Sequence, residues 1–186
     1  SYNNIGLRFN GQKNNLILES ELTLQTSSGT SSKNDVSASL LSFNLGYKPG
    51  IRFLESVFLG LDRISGDDSS TEAAEGFSKE FGARHKHHGF YDYESHAKYF
   101  GNSHDGLNEI NVKANIDILK RTNLLVALHN FRSAVKDIYY GSEVNFIFKT
   151  KHNEEVSSEI GSVFYFPDQG DKKTLPFFYL MITANF

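Results

Sequence analysis

Cysteine and tryptophan are absent from the 186 residues, methionine occurs once and proline three times. The missing thiols exclude a disulfide scaffold, a thiolate zinc site and a cysteine nucleophile. No run approaches the roughly 18 uncharged apolar residues of a membrane-spanning helix. The longest uncharged stretch, 174–186, already contains Pro176. A surplus of basic charge is missing too: 19 Lys+Arg face 22 Asp+Glu, a net charge of −3. No global basic field favours nucleic acid, and no nucleic-acid partner is expected. Disorder is also excluded, because 39% apolar and 13% aromatic residues provide enough apolar surface to offset the entropy of ordering. These absences leave a β-barrel in a membrane entirely open.

What the chain has is alternation of period two, the mark of strands with one apolar face. Ile5, Leu7 and Phe9 alternate with Arg8 and Asn10; Leu16, Leu18, Leu22 and Leu24 alternate with Glu19, Glu21 and Thr23. From 36 to 47 the apolar positions begin even (Val36, Ala38, Leu40) and continue odd (Leu41, Phe43, Leu45, Tyr47), a change of parity that one bulge residue would produce. After Pro49-Gly50 come Ile51, Phe53, Val57, Leu59 and Leu61 against Arg52, Ser56 and Asp62. The clearest run sets Ile110, Val112, Ala114, Ile116 and Ile118 against Glu109, Asn111, Lys113, Asn115 and Asp117. Leu124, Val126 and Leu128 follow, less regular near His129 and Phe131. Tyr140, Val144, Phe146 and Phe148 then oppose Glu143 and Lys149; Val156, Ile160, Phe164 and Phe166 oppose Glu155 and Glu159. Phe178, Leu180, Ile182, Ala184 and Phe186 close the series. The pattern predicts nine strands and no amphipathic helix, as one domain over 1–186.

Connection lengths alternate. Short ones fall at 11–14, 48–50, 119–121 and 151–154, long ones at 27–35, 65–106, 133–138 and 167–174. Short turns at one end and long loops at the other predict an all-β, up-and-down antiparallel transmembrane barrel. A soluble barrel that binds an apolar ligand alternates as well, with its apolar face inward. Aromatics near strand ends (Tyr47, Tyr139, Tyr140, Phe164 to Phe166, Phe177 to Tyr179) and a terminal strand closing on Phe186 favour the membrane. Nine strands put the first and last on opposite sides, and bacterial single-chain barrels have an even number. The expectation is therefore the C-terminal part of a larger barrel, completed by upstream strands or by another subunit.

The segment 61–93 reads LDRISGDDSSTEAAEGFSKEFGARHKHHGFYDY. Ser65-Gly66-Asp67-Asp68, then Phe77 and Phe81, then Arg84, His85, Lys86, Gly89, Phe90, Asp92 and Tyr93 make a pattern that resembles the alginate-export-like family of outer-membrane barrels, in its Bacteroidota-type members. The later GSEVNFIFKTKHN stretch and the Phe-rich final hairpin resemble that family's closing strands. The resemblance runs from about Leu61 to Phe186. It implies the bacterial outer membrane, lipid around the barrel, a channel and no catalytic residues. Family members are longer, and the archetype lines its pore with basic residues to pass a polyanionic uronate. Here Arg8, Arg52, Lys113 and Lys149 face Glu19, Glu21, Glu109, Asp117, Glu143, Glu155 and Glu159 on the polar faces. That balance would repel a polyuronate, so the fold follows the resemblance and the solute stays open.

The long loop concentrates His85, His87, His88, His96 and His104 with Asp67, Asp68, Asp92 and Asp105. Imidazoles and carboxylates can hold a divalent ion, but the spacing matches no metalloprotease motif, and 66–69 lacks the ligand spacing of a calcium loop. The plainer reading is a folded loop whose His and Asp side chains bond each other and the lumen wall; no metal and no cofactor are assigned. Ser103-His104-Asp105 has the residue types of a hydrolase, yet adjacent residues cannot converge as a triad, and no enzyme is expected. The chain thus reads as a porin-like channel for a hydrophilic solute, oligo- or polysaccharides among the candidates. Its pore would be lined by Arg8, Glu19, Glu21, Arg52, Lys113, Asp117, Glu143 and Glu159, and constricted by Arg84, His85, Lys86 and His88. The alternative is a non-conducting barrel in a larger outer-membrane assembly.

Overall fold

The computed structural model describes residues 3–27, 36–68, 70–71, 74–78, 88–91, 105–136, 138–168 and 173–185. Its strands are β1 (Asn3–Lys13), β2 (Leu16–Ser27), β3 (Val36–Tyr47), β4 (Leu54–Ile64), β5 (Leu107–Leu119), β6 (Thr122–Arg132), β7 (Tyr139–Lys151), β8 (Val156–Pro167) and β9 (Leu175–Ala184). All nine form one antiparallel sheet in chain order, with β1 and β9 at its two edges. The sheet is not closed.

The connections alternate in length with one departure. The β1–β2, β3–β4, β5–β6 and β7–β8 links share one end of the sheet; three of them are short, but the β3–β4 link takes 48–53 instead of the expected 48–50 and is as long as the 133–138 link at the other end. Asn14 makes the β1–β2 link, at φ 53°, a left-handed conformation that asparagine tolerates better than most side chains. The remaining links share the other end, here called the loop end.

The two faces have the polarity opposite to that of a water-soluble sheet. Ile5, Leu22, Leu24, Leu41, Leu59, Ile110, Val112, Phe146, Phe148, Leu180 and Ile182 are exposed on one face. The other face is concave and encloses polar side chains: Gln25, Asp62, Glu109, Asn111, His129, Glu143 and Asn145 are all buried. Room for bulky neighbours comes from glycine. The Phe58 ring lies over Gly46 and the Tyr179 ring over Gly161, each directly across a strand pair, so that an aromatic covers the bare backbone.

An apolar layer closes the concave face at the loop end. Ala38, Ile64, Phe77, Leu107, Phe131, Tyr140 and Tyr165 form one buried cluster. This layer corrects the bulge expected in β3: its pairing with both neighbours is continuous. Ala38 and Leu40 simply point inward where the interior is apolar, while Leu41 to Tyr47 alternate on the outer face. A bulge does occur in β7, where the register shifts between Phe131 and Arg132 of β6 and Gly141 takes φ 145°. It turns Tyr140 inward, and Tyr165 faces inward through its regular pairing with Glu143, so both bury in the core instead of joining an outer aromatic belt. Tyr165 Oη then donates to Tyr140 O at 2.7 Å.

Two described pieces of the 65–106 connection return into the concavity. Residues 74–78 run along β2 and β3: Ser37 N–H donates to Ala74 O at 3.1 Å, and Gln25 exchanges hydrogen bonds with the Ser78 backbone in both directions, 2.9 and 2.7 Å. Residues 88–91 lie over β5 to β8, with Tyr91 stacked on Tyr165 at 5.4 Å between centroids.

Candidate functional site

Just inside the apolar layer, four strands place polar side chains in two adjacent rows. Register sets Asp62 of β4 opposite Glu109 of β5. The next row joins Asn111 of β5, His129 of β6 and Glu143 of β7. Two carboxylates directly opposite on one face repel each other, and the neighbours answer that repulsion. His88 Nδ1 lies 2.9 Å from Glu109 Oε2, and His129 Nδ1 lies 2.6 Å from Glu109 Oε1. Asn111 Nδ2 donates to Glu109 Oε1 at 2.9 Å and, more weakly, to Asp62 Oδ2 at 3.4 Å. Gly60, across from Asn111, leaves the space that the Asn111 amide fills.

Glu143 anchors the loop segment from the other side. Its carboxylate accepts the Phe90 N–H at 2.5 Å and the Tyr91 N–H at 3.0 Å. Gly89 makes this approach possible. It has φ 79°, which favours glycine, and a Cβ there would press on the Glu143 oxygens. Several buried atoms keep no hydrogen-bond partner among the described residues: Asp62 Oδ1, Asn111 Oδ1, His129 Nε2 and both amide atoms of Asn145. Such atoms are rare in native proteins and each calls for a reason. Ligand atoms of Asp62, His88 and Glu109 all lie within 4.8 Å of one another.

The expected pore-lining residues distribute unevenly. Arg8, Glu19, Glu21, Lys113, Asp117, Glu143 and Glu159 occupy strand positions on the inner face. Arg52 does not: it sits exposed in the turn before β4, because the chain needs 48–53 to reverse direction. Glu155 likewise lies in the turn before β8. Lys149 bridges to Glu159 at 3.3 Å, and Tyr179 Oη donates to the other Glu159 oxygen at 2.5 Å. Lys149 and Glu159 border an open cleft of about 480 Å³ at the short-turn end, also lined by Asp117, Arg121, Glu154 and Thr183.

Of the expected constriction, Arg84, His85 and Lys86 lie outside the described residues, as do His87, His96, Ser103 and His104. His88 is described and buried. Its carboxylate partner comes from strand β5, since the described loop aspartates are engaged elsewhere. Asp67 Oδ1 accepts the Glu75 N–H at 3.1 Å, Asp68 Oδ1 the Ser70 N–H at 2.9 Å, and Asp105 pairs with Lys136 at 2.8 Å. Alternation puts Glu109 on a polar face, but no sequence spacing gathers Asp62, Asn111, His129 and Asn145 into one cluster. The available signal was polar side chains on inward positions of neighbouring strands, and it becomes a cluster only once register is known.

No protein-family model, no curated protein and no solved structure matches this chain.

Proposed function

We propose that this chain forms part of the wall of a transmembrane β-barrel in the Gram-negative outer membrane, acting as a passive channel for a hydrophilic solute. The observation that carries the reading is the inverted polarity of the sheet. Each large apolar side chain left in water forgoes about 1.5–3 kcal/mol of burial, and the outer face exposes such residues on every strand. A continuous apolar face of that kind requires an apolar surrounding, and hydrocarbon provides it. Strands of 10 to 13 residues also match the length of a tilted transmembrane strand. The resemblance of the 61–93 segment to alginate-export-like barrels points the same way. Hydrocarbon does not tolerate open sheet edges, so the proposal includes further strands pairing with β1 and β9, from the same polypeptide or a neighbouring subunit.

One observation favours a second reading, a barrel that does not conduct. Residues 74–78 and 88–91 fill the concavity at the loop end, and with Phe77, Phe131, Tyr140 and Tyr165 they make a packed layer. Reconstitution in planar bilayers separates the two. Stepwise conductance supports the channel, whereas stable insertion without conductance supports the plugged barrel. A protein that stays monodisperse without detergent contradicts both.

A further inference from the structure

We propose that Asp62, His88 and Glu109 form a binding site for one divalent transition-metal ion of the Zn²⁺ class, with Asn111 Oδ1 as a fourth donor. Such a site depends on side-chain geometry and charge and not on whether the sheet spans a membrane.

Mutual separations within 4.8 Å are what one ion bound at about 2.0–2.2 Å from N and O ligands can draw together by small side-chain rotations. The three residues are buried, so a ligated ion would be shielded from competing water. The set is mixed: two carboxylates and one imidazole. Imidazole suits Zn²⁺, Cu²⁺, Ni²⁺ or Fe²⁺ and argues against Ca²⁺ and Mg²⁺, which prefer oxygen alone.

Proximity of acids is not the whole case. Asp62 Oδ1 and Asn111 Oδ1 are buried acceptors without a hydrogen-bond partner among the described residues. Both belong to side chains already joined to the cluster, through the bond from Asn111 Nδ2 to Asp62 Oδ2. A cation satisfies orphaned acceptors, and rotation of the Asn111 amide presents Oδ1 to it. Charge points the same way, since Asp62 and Glu109 face each other across a strand pair and a divalent ion turns that repulsion into attraction. His129, bonded to Glu109 Oε1 at 2.6 Å, holds the carboxylate from behind, as partners of metal ligands commonly do. The ion would tie the 88–91 segment to β4 and β5, making metal a staple between loop and wall.

The test is calorimetric titration of Zn²⁺ into the full chain after chelator treatment, with electron paramagnetic resonance of bound Cu²⁺ as a second readout. One equivalent should bind, and His88→Ala and Asp62→Asn should each weaken binding at least about tenfold. Asn111→Asp, which adds an anionic oxygen, should tighten it. His152→Ala, in an exposed turn, should leave it unchanged. The Cu²⁺ spectrum should show a single imidazole nitrogen. If Asp62→Asn does not fold, Asn111→Asp and the wild-type spectrum decide the matter. No binding by the wild type, binding indifferent to both His88→Ala and Asn111→Asp, or a spectrum with several imidazoles would overturn the proposal.

Discussion

His129 Nδ1 and Glu109 Oε1 lie 2.6 Å apart on adjacent strands, both side chains fully enclosed. The same carboxylate takes His88 on its other oxygen, so Glu109 links a strand neighbour to a loop more than twenty residues away. Breaking a buried, hydrogen-bonded charge network by removing one member costs roughly 3–5 kcal/mol. Glu109→Ala should therefore be among the most destabilising single changes in the chain. Denaturant unfolding in detergent would measure it, and a loss below about 1 kcal/mol would mean that the network is not formed.

Gly89 should not tolerate a side chain. Alanine at φ 79° costs about 1–2 kcal/mol in backbone strain alone, and its Cβ meets the Glu143 carboxylate. Gly89→Ala should release the 88–91 segment while leaving the strands intact. Hydrogen exchange at the Phe90 and Tyr91 amides is the readout. Exchange should quicken at both, and unchanged protection would contradict the anchoring described.

Glu143→Ala removes the acceptor of those two amides without touching the loop backbone. Hydrogen bonds to a charged group contribute about 1.5–3 kcal/mol each, so the segment should undock. If the barrel conducts and the segment narrows it, single-channel conductance should rise relative to wild type. Equal conductance would show that 88–91 does not control the passage.

Lumen charge predicts the sign of selectivity. With Arg52 and Glu155 in turns, the inner face carries Arg8, Lys113, Lys149 and Lys151 against Glu19, Glu21, Asp62, Glu109, Asp117, Glu143 and Glu159. If this sheet lines a channel, that channel should not prefer anions. Reversal potentials in a salt gradient test this, and a clear anion preference would place the controlling charge elsewhere.

Much of the fold was legible because alternation is a property of one strand at a time. Ile110 to Ile118 declares its outer face without any knowledge of its neighbours, and the alternating connection lengths reveal the meander. Legibility failed where the inner face changes character along its length. The parity of Val36, Ala38 and Leu40 predicts a bulge, because a single strand cannot distinguish a bulge from an apolar layer. The true bulge at Tyr140 was hidden, since Tyr140 fits an apolar alternation equally well. The His88 cluster was out of reach for a different reason. Asp62, Glu109 and His129 meet only through the β4–β5–β6 register, and that pairing is information that no linear spacing contains.

Lipid contact of the outer face is the central claim, and the cysteine-free chain makes it directly measurable. Single cysteines at Ile110, Val112, Phe146, Leu180 and Ile182, and at Asn111, Lys113 and Asn145, would each carry a nitroxide in reconstituted bilayers. Accessibility to dissolved oxygen, against accessibility to a water-soluble nickel complex, then reports the surroundings of each site. The first set should favour oxygen, deepest near Val112, where arginine should cost about 2–4 kcal/mol. The second set should show low access to membrane oxygen. Nickel access across the first set equal to that of surface turns such as Lys120 would contradict the membrane reading outright.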